Sequence, residues 1–316
     1  MRVLVTGATT PVGAALVDRL TGDPAVDRVV AVGLEEADDL PASLRHPAVS
    51  WHRADLTRHR NLRHLLAGPV ADAGVDSVIH LALHRSAADR GRRIRRLNVD
   101  ATRLLLRLAE DHPTITRFVF ASSAAVYRLR AETPTVLRED AELALGGGAQ
   151  WLRDRVEADV GVCTRMGLSD LSVAVLRLAE VLAPDAGSQL LDYLGARVCL
   201  RPLGYDPMLN LLSVDDAARA LHLALQLGAN GVFNVPGGDT LPLSRAIECC
   251  GRRQVPVPGP LVGWLYGARG HRGGEFRYDL NADRFHHTAL LDGARAEAEL
   301  SYRPEQRIDW SSLLPS

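Results

Sequence analysis

The residues best able to do chemistry in this 316-residue chain stand in short polar runs between long apolar ones. The first run, Thr6-Gly7-Ala8-Thr9-Thr10-Pro11-Val12-Gly13, follows Val3-Leu4-Val5 and leads into Ala14-Ala15-Leu16-Val17. A buried strand, a glycine-bearing turn and a helix N-terminus make an anion site, because the first helical N–H groups lack partners and the helix dipole favours negative charge. Gly7 lets the chain turn and Gly13 lets helix and strand pack closely, two of the three glycine roles in a dinucleotide fingerprint. The middle position of the G-x-x-G-x-x-G spacing is Thr10, whose Cβ stands where backbone would approach a pyrophosphate, so the run reads equally well as an ordinary strand-turn-helix. Past the next strand, Glu35 and Glu36 could accept ribose hydroxyls and would repel a 2′-phosphate, while Arg28 sits at the opposite end of that strand. This favours NAD over NADP. His80 and His84 could exchange a proton near neutral pH, but a packed strand ring and a surface loop residue are the simpler readings.

These residues need elements to position them. Apolar runs predict strands at 3–5, 27–32, 49–54, 75–82, 117–123 and 171–178, with helical stretches at 13–20, 58–67, about 91–111 and 211–225. Strands alternating with helices predict an α/β fold, a Rossmann-type doubly wound parallel sheet covered on both faces. We expect a Rossmann domain over 1–178 with 205–235 returning to it, and a smaller substrate lobe from 179–204 and 236–316. In that lobe Arg177, Arg201, Tyr205, Asn210, Arg277 and Tyr278 are possible substrate contacts, though each taken singly reads as structural.

Composition narrows the function classes. A net charge of -1 argues against a general nucleic-acid or membrane-surface binder, and no apolar run approaches membrane-spanning length. With no basic-apolar leader before the first strand, and with Cys163, Cys199, Cys249 and Cys250 lacking metal or redox spacing, the expectation is a cytoplasmic protein with no metal centre. The arginines between Arg85 and Arg107 read as a solvated helix face rather than an anion patch. The chain has no lysine, so all 37 basic residues are arginine, which excludes Schiff-base and lysine-relay chemistry.

Several motifs together resemble the extended short-chain dehydrogenase/reductase family, the NAD-dependent epimerase/dehydratases. They are T-G-A-T-T-P-V-G at 6–13, A-D-L at 54–56, V-I-H-L-A at 78–82, N-V-D-A-T at 98–102 and F-V-F-A-S-S-A-A-V-Y at 118–127. V-L-R at 175–177, L-L-S-V-D-D-A-A-R-A-L at 211–221, G-V-F-N-V at 231–235 and L-L-D-G-A-R-A-E-A-E-L at 290–300 extend the resemblance along nearly the whole chain. It implies NAD as cofactor, with Gly7, Thr9, Thr10, Pro11, Val12 and Gly13 along the diphosphate and Glu35 toward the ribose. Asp55 and Leu56 would edge the adenine, Leu81 and Ala82 would pass beneath the ribose, and Asn98 would hold backbone. Ser123 matches the catalytic serine, with Tyr127 close behind as a pocket wall or an acid-base group. The implied substrate is a small molecule such as a nucleotide sugar or a related carbonyl compound, and a homodimer is compatible with the resemblance.

One part of the family pattern is missing. Where the family places a tyrosine and, four residues on, a lysine, this chain has Trp151 and Arg155. Arginine can still hold ribose hydroxyls, but an indole N–H donates without cycling as an acid or base. Two expectations follow, an enzyme working by non-standard chemistry and a catalytically reduced dinucleotide-binding sensor or partner subunit.

Overall fold

The computed structural model describes residues 1–84, 86–87, 89–146, 148–269 and 276–314; Arg85 of the arginine cluster, Gly147 and part of the expected lobe lie outside these residues. The large sheet contains β1 (Arg2–Thr6), β2 (Arg28–Gly33), β3 (Val49–Arg53), β4 (Ser77–His80), β5 (Arg117–Ser123), β6 (Ser172–Leu178) and β7 (Gly231–Val235). Their spatial order is β3-β2-β1-β4-β5-β6-β7, and every neighbouring pair is parallel. This is the doubly wound sheet the sequence predicts, with the strand order reversing between β1 and β4. Ligands bind at such a reversal, outside the carboxyl ends of the strands.

Alternation along β1 shows why the strands read as continuous apolar runs. Val3 and Val5 pack toward α1 (Pro11–Thr21) and α5 (Val214–Gln226). Leu4 faces the other way, into a core shared with α2 (His59–Leu65), α3 (Thr102–Glu110) and α4 (Gln150–Cys163). With both faces buried there is no polar side to mark a period of two. The helix expected from about residue 91 to 111 begins at Arg92–Arg95, passes through one widened turn at Arg96–Ala101 and continues as α3. Asn98 lies within that turn. As predicted from Ser-Val-Asp-Asp, the Ser213 hydroxyl caps α5 by accepting the Asp216 N–H at 3.1 Å.

Beyond β6, three short strands at Glu180–Val181, Met208–Leu212 and Asp239–Pro242 form a small sheet, and Val198–Pro202 pairs with Arg253–Val257. A separate core supports them, in which the Tyr193 ring meets Phe285 edge-on at 4.8 Å between centroids. Among the described residues no helix is long and apolar enough to cross a membrane.

Candidate functional site

The glycine-bearing turn owes its shape to steric limits and to one hydroxyl. Gly7 has φ +71°, and a Cβ there would lie 2.9 Å from the Ala82 backbone nitrogen just past β4. A Cβ on Gly13 would lie 2.2 Å from the Gly7 carbonyl. Thr10 does not push its side chain outward, as its place in the motif suggests. Its hydroxyl donates to the Gly7 carbonyl at 2.8 Å and accepts the Gly13 N–H at 3.0 Å, capping α1. Pro11 has no N–H and that of Gly13 is capped, so Val12 is the donor left to the first turn.

At the end of β2, Gly33 stands where an acid would be expected, and the structure shows why no side chain fits. A Cβ there would meet the Trp51 ring at 2.5 Å, Glu35 Oε2 at 2.7 Å and Thr9 Oγ1 at 3.2 Å. The Glu35 carboxylate folds back over the strand end and accepts the Leu34 N–H at 2.9 Å. The carboxylate nearest the strand end thus comes from two residues further on. Arg28 is indeed remote, but Arg53, opposite Gly33 on β3, is a nearby cation that sequence reasoning missed. It donates to the Leu34 carbonyl at 2.8 Å and pairs with Glu36 at 2.6 Å. Asp55 holds Thr57 and lies 3.3 Å from Arg93; burial works against its ionisation, but Thr57 and the charges of Arg93 and Arg58 outweigh it and lower its pKa. Leu56 and Leu81 are buried, in the cores on opposite faces of the large sheet.

The loop after β4 is tied down by Asn98, whose Oδ1 accepts the His84 N–H at 2.7 Å. From α4, Arg155 Nη1 donates to the His84 carbonyl at 3.3 Å, and its guanidinium lies over the Trp151 ring at 4.2 Å. Desolvation lowers the Arg155 pKa to about 10, which leaves it charged at neutral pH. Among the described residues, the buried Asn98 Nδ2 and Trp151 Nε1 have no hydrogen-bond partner. Such groups are costly unless something satisfies them. At the end of β5, Ser123 Oγ accepts the Ala125 N–H at 3.2 Å, capping a short turn and keeping its own proton available to a ligand.

Both histidines take the simpler reading. His80 is fully buried, its Nδ1 2.6 Å from Thr6 Oγ1 and its Nε2 2.8 Å from Thr102 Oγ1. Because the Thr102 hydroxyl donates to the Asn98 carbonyl, the ring carries its proton on Nε2 and accepts from Thr6. Burial lowers its pKa to about 3, so it stays neutral. His84 pairs with Asp89 at 2.9 Å on the loop surface.

The Tyr127 hydroxyl is held from two sides. Its hydroxyl donates to Asn234 Oδ1 at 2.6 Å and accepts from Arg177 at 3.0 Å, and burial raises its pKa. Arg177, one of the possible substrate contacts, is itself buried and bound through two nitrogens to Asp159 at 3.1 and 2.8 Å. Ser122 completes this group, donating to Asp159 at 2.5 Å. Arg201 bonds Gln254, Arg277 pairs with Asp279, and Tyr278 stacks on Tyr266.

A cavity of about 570 Å³ lies between the large sheet and the smaller sheets. Its wall includes Ala124, Tyr127, Trp151, Glu180, Asn210 and Arg284. The wall begins one residue past Ser123, which pairs in register with Leu178, two residues before Glu180. Glu180 accepts from Ser188 at 2.6 Å and from Arg284 at 3.0 Å. Neither Glu180 nor Arg284 carries a sequence signal; only the return of the helix at Tyr278–His286 brings them together.

A model of the NAD dependent epimerase/dehydratase family matches residues 3–235. An uncharacterized protein of Mycobacterium tuberculosis is 30% identical over 310 residues, covering 96% of this chain and 80% of that protein. Among solved structures, dTDP-glucose 4,6-dehydratase from Bacillus anthracis in complex with NAD aligns with a TM-score of 0.72 and 16% identity, over 99% of this chain and 95% of that one. UDP-glucose 4-epimerase from Thermotoga maritima with UDP-glucose aligns at 0.72 and 18%, over 99% and 97%. At these identities the two structures speak for the fold.

Proposed function

Because this chain belongs to the NAD dependent epimerase/dehydratase family, we propose that it binds NAD across the β1–β4 crevice and acts there on a small carbonyl or alcohol compound without a catalytic phenol. The observation that carries this reading is the Glu35 carboxylate folded over Gly33, beside Thr9 and in line with the capped N-terminus of α1. A carboxylate there accepts ribose hydroxyls, and the Val12 N–H with the helix dipole suits a diphosphate. The residues fit the dinucleotide without rearrangement of the turn.

Bound NAD supplies hydride acceptance and return. The Ser123 hydroxyl donates to the substrate oxygen and holds it at the strand end. Arg155, fixed to the His84 carbonyl, has further N–H groups for ribose hydroxyls and keeps its positive charge in a desolvated setting. We read Trp151 and Arg155 as occupying the places of the family's tyrosine and lysine. Trp151 lines the substrate side and offers one donor, so the substrate's proton leaves to water rather than to this side chain.

The Trp151–Arg155 stack also supports a second reading, a dinucleotide-binding sensor or partner subunit, since it occupies the two positions with groups that cannot relay a proton. Calorimetry with NAD+, NADH, NADP+ and NADPH tests the shared premise, and absence of binding by all four would refute both readings. With binding established, NAD-dependent turnover that Ser123→Ala abolishes selects the enzyme. Inertness across a panel of carbonyl compounds and nucleotide sugars, UDP-glucose and dTDP-glucose first, selects the sensor.

A further inference from the structure

We infer that the cavity above the strand ends takes a carbonyl or alcohol compound with an aliphatic body, rather than a nucleotide diphosphate sugar. This rests on the reading just given, because it names the substrate of that same site. Eighteen of the thirty wall residues are alanine, leucine, methionine or phenylalanine, so contact with most of the wall is contact with hydrocarbon.

Several polar residues of the wall are held by partners within or behind it. Arg128 pairs with Glu142 at 2.6 Å, Arg130 with Glu132 at 3.7 Å and Arg284 with Glu180 at 3.0 Å. Among the described residues, these are the arginines of the wall. The Asn210 amide donates to the Gly237 carbonyl and Thr240 and accepts the Gly237 N–H, and Asn281 donates to Gln189 and the Arg277 carbonyl. A diphosphate would compete with these ion pairs and would lie near the carboxylates of Glu180, Glu132 or Asp283, which repel it. A nucleobase and a hexose would leave many donors and acceptors facing alanine and leucine.

One unsatisfied buried donor lies near the strand ends. Trp151 Nε1 is buried without a partner, and the strand carrying Ser123 ends where the wall begins. A ligand matching this distribution has one oxygen-bearing head at the strand ends and a hydrocarbon body in the outer cavity. Each methylene buried there should tighten binding roughly fourfold.

The test titrates NAD-loaded protein with 2-hexanone, 2-octanone, 2-decanone and UDP-glucose in a calorimeter. The expected result is affinity rising stepwise with ketone length, 2-decanone binding at least tenfold more tightly than UDP-glucose, and Leu280→Asp, a charge placed in the cavity wall, weakening the ketone at least tenfold with NAD affinity unchanged. Should Leu280→Asp fail to fold, the chain-length series on the wild type still decides. UDP-glucose binding more tightly, ketones binding without length dependence, or neither probe binding to the NAD-loaded protein would each overturn the inference alone. Failure of NAD itself to bind overturns the functional reading together with it.

Discussion

The guanidinium carbon of Arg155 lies 4.2 Å from the centroid of the Trp151 ring, one turn earlier on the same helix face. At a spacing of four residues the two side chains must meet, and a cation over an indole face is attractive by about 0.5 to 2 kcal/mol. The stack fixes Arg155 where it reaches the His84 carbonyl. It also places an aromatic face without acid-base capacity on the cavity wall.

The double change Trp151→Tyr, Arg155→Lys should raise NAD-dependent turnover of a carbonyl substrate, followed as NADH absorbance at 340 nm. The lysine alone should not, because only a phenol beside a cation has a pKa low enough to exchange the proton. An unchanged rate in the double variant would point to another use for the pocket.

Replacing Thr10 separates capping from ligand approach. Thr10→Val removes both Oγ bonds and should cost about 0.5 to 2 kcal/mol in a denaturant titration. Thr10→Gly should cost only a few tenths of a kcal/mol and leave NAD affinity unchanged, since the Thr10 side chain is turned back onto Gly7 and Gly13.

Glu35→Ala should weaken NAD by roughly tenfold to a hundredfold, the worth of a charge-assisted hydrogen bond. Adding Glu36→Ala releases Arg53 from its ion pair and should shift the ratio of dissociation constants toward NADP. A ratio that does not move would remove Glu35 from the ribose.

His80 sets a pH window for stability. Its folded pKa, about 3, lies below the usual 6.5, so between these values the unfolded chain binds the extra proton. Its contribution is fully present above about pH 6.5 and is lost at about 1.4 kcal/mol per unit as pH falls toward 3. Denaturant titrations from pH 7 to 4 should show a shallower decline in His80→Gln than in the wild type.

Tyr127→Phe should destabilise the fold by about 1 to 3 kcal/mol, because Asn234 Oδ1 and Arg177 each lose a partner in a buried setting. NAD affinity and the pH profile of any turnover should stay as in the wild type. A lost acidic or basic limb in that profile would return Tyr127 to the chemistry.

Much of the fold was legible because its signals are local. The buried strands declare themselves as apolar runs, Gly7 by a turn that demands φ +71°, and Ser213 by the acids that follow a cap. The site was legible where chemistry follows from a residue's own side chain, as with Trp151, which cannot relay a proton in any fold. It was illegible where function depends on which way a side chain turns. Thr10 looked like an obstruction and is a cap; Tyr127 reads as a pocket wall or an acid-base group, and it lines the cavity with its hydroxyl held by Arg177 and Asn234.

By itself the sequence determined the doubly wound sheet, the glycine-bearing turn at Gly7 to Gly13, the family resemblance and the absence of a lysine to assist any phenol. Only the tertiary structure decided that the Glu35 carboxylate folds over Gly33, that Arg53 is the nearby cation, and that Glu180 and Arg284 meet across the cavity. The reason is range. Backbone conformation and strand burial are settled by neighbours a few residues apart, whereas charge pairing and cavity lining depend on side chains from distant parts of the chain, as Glu180 and Arg284 are brought together across 104 positions.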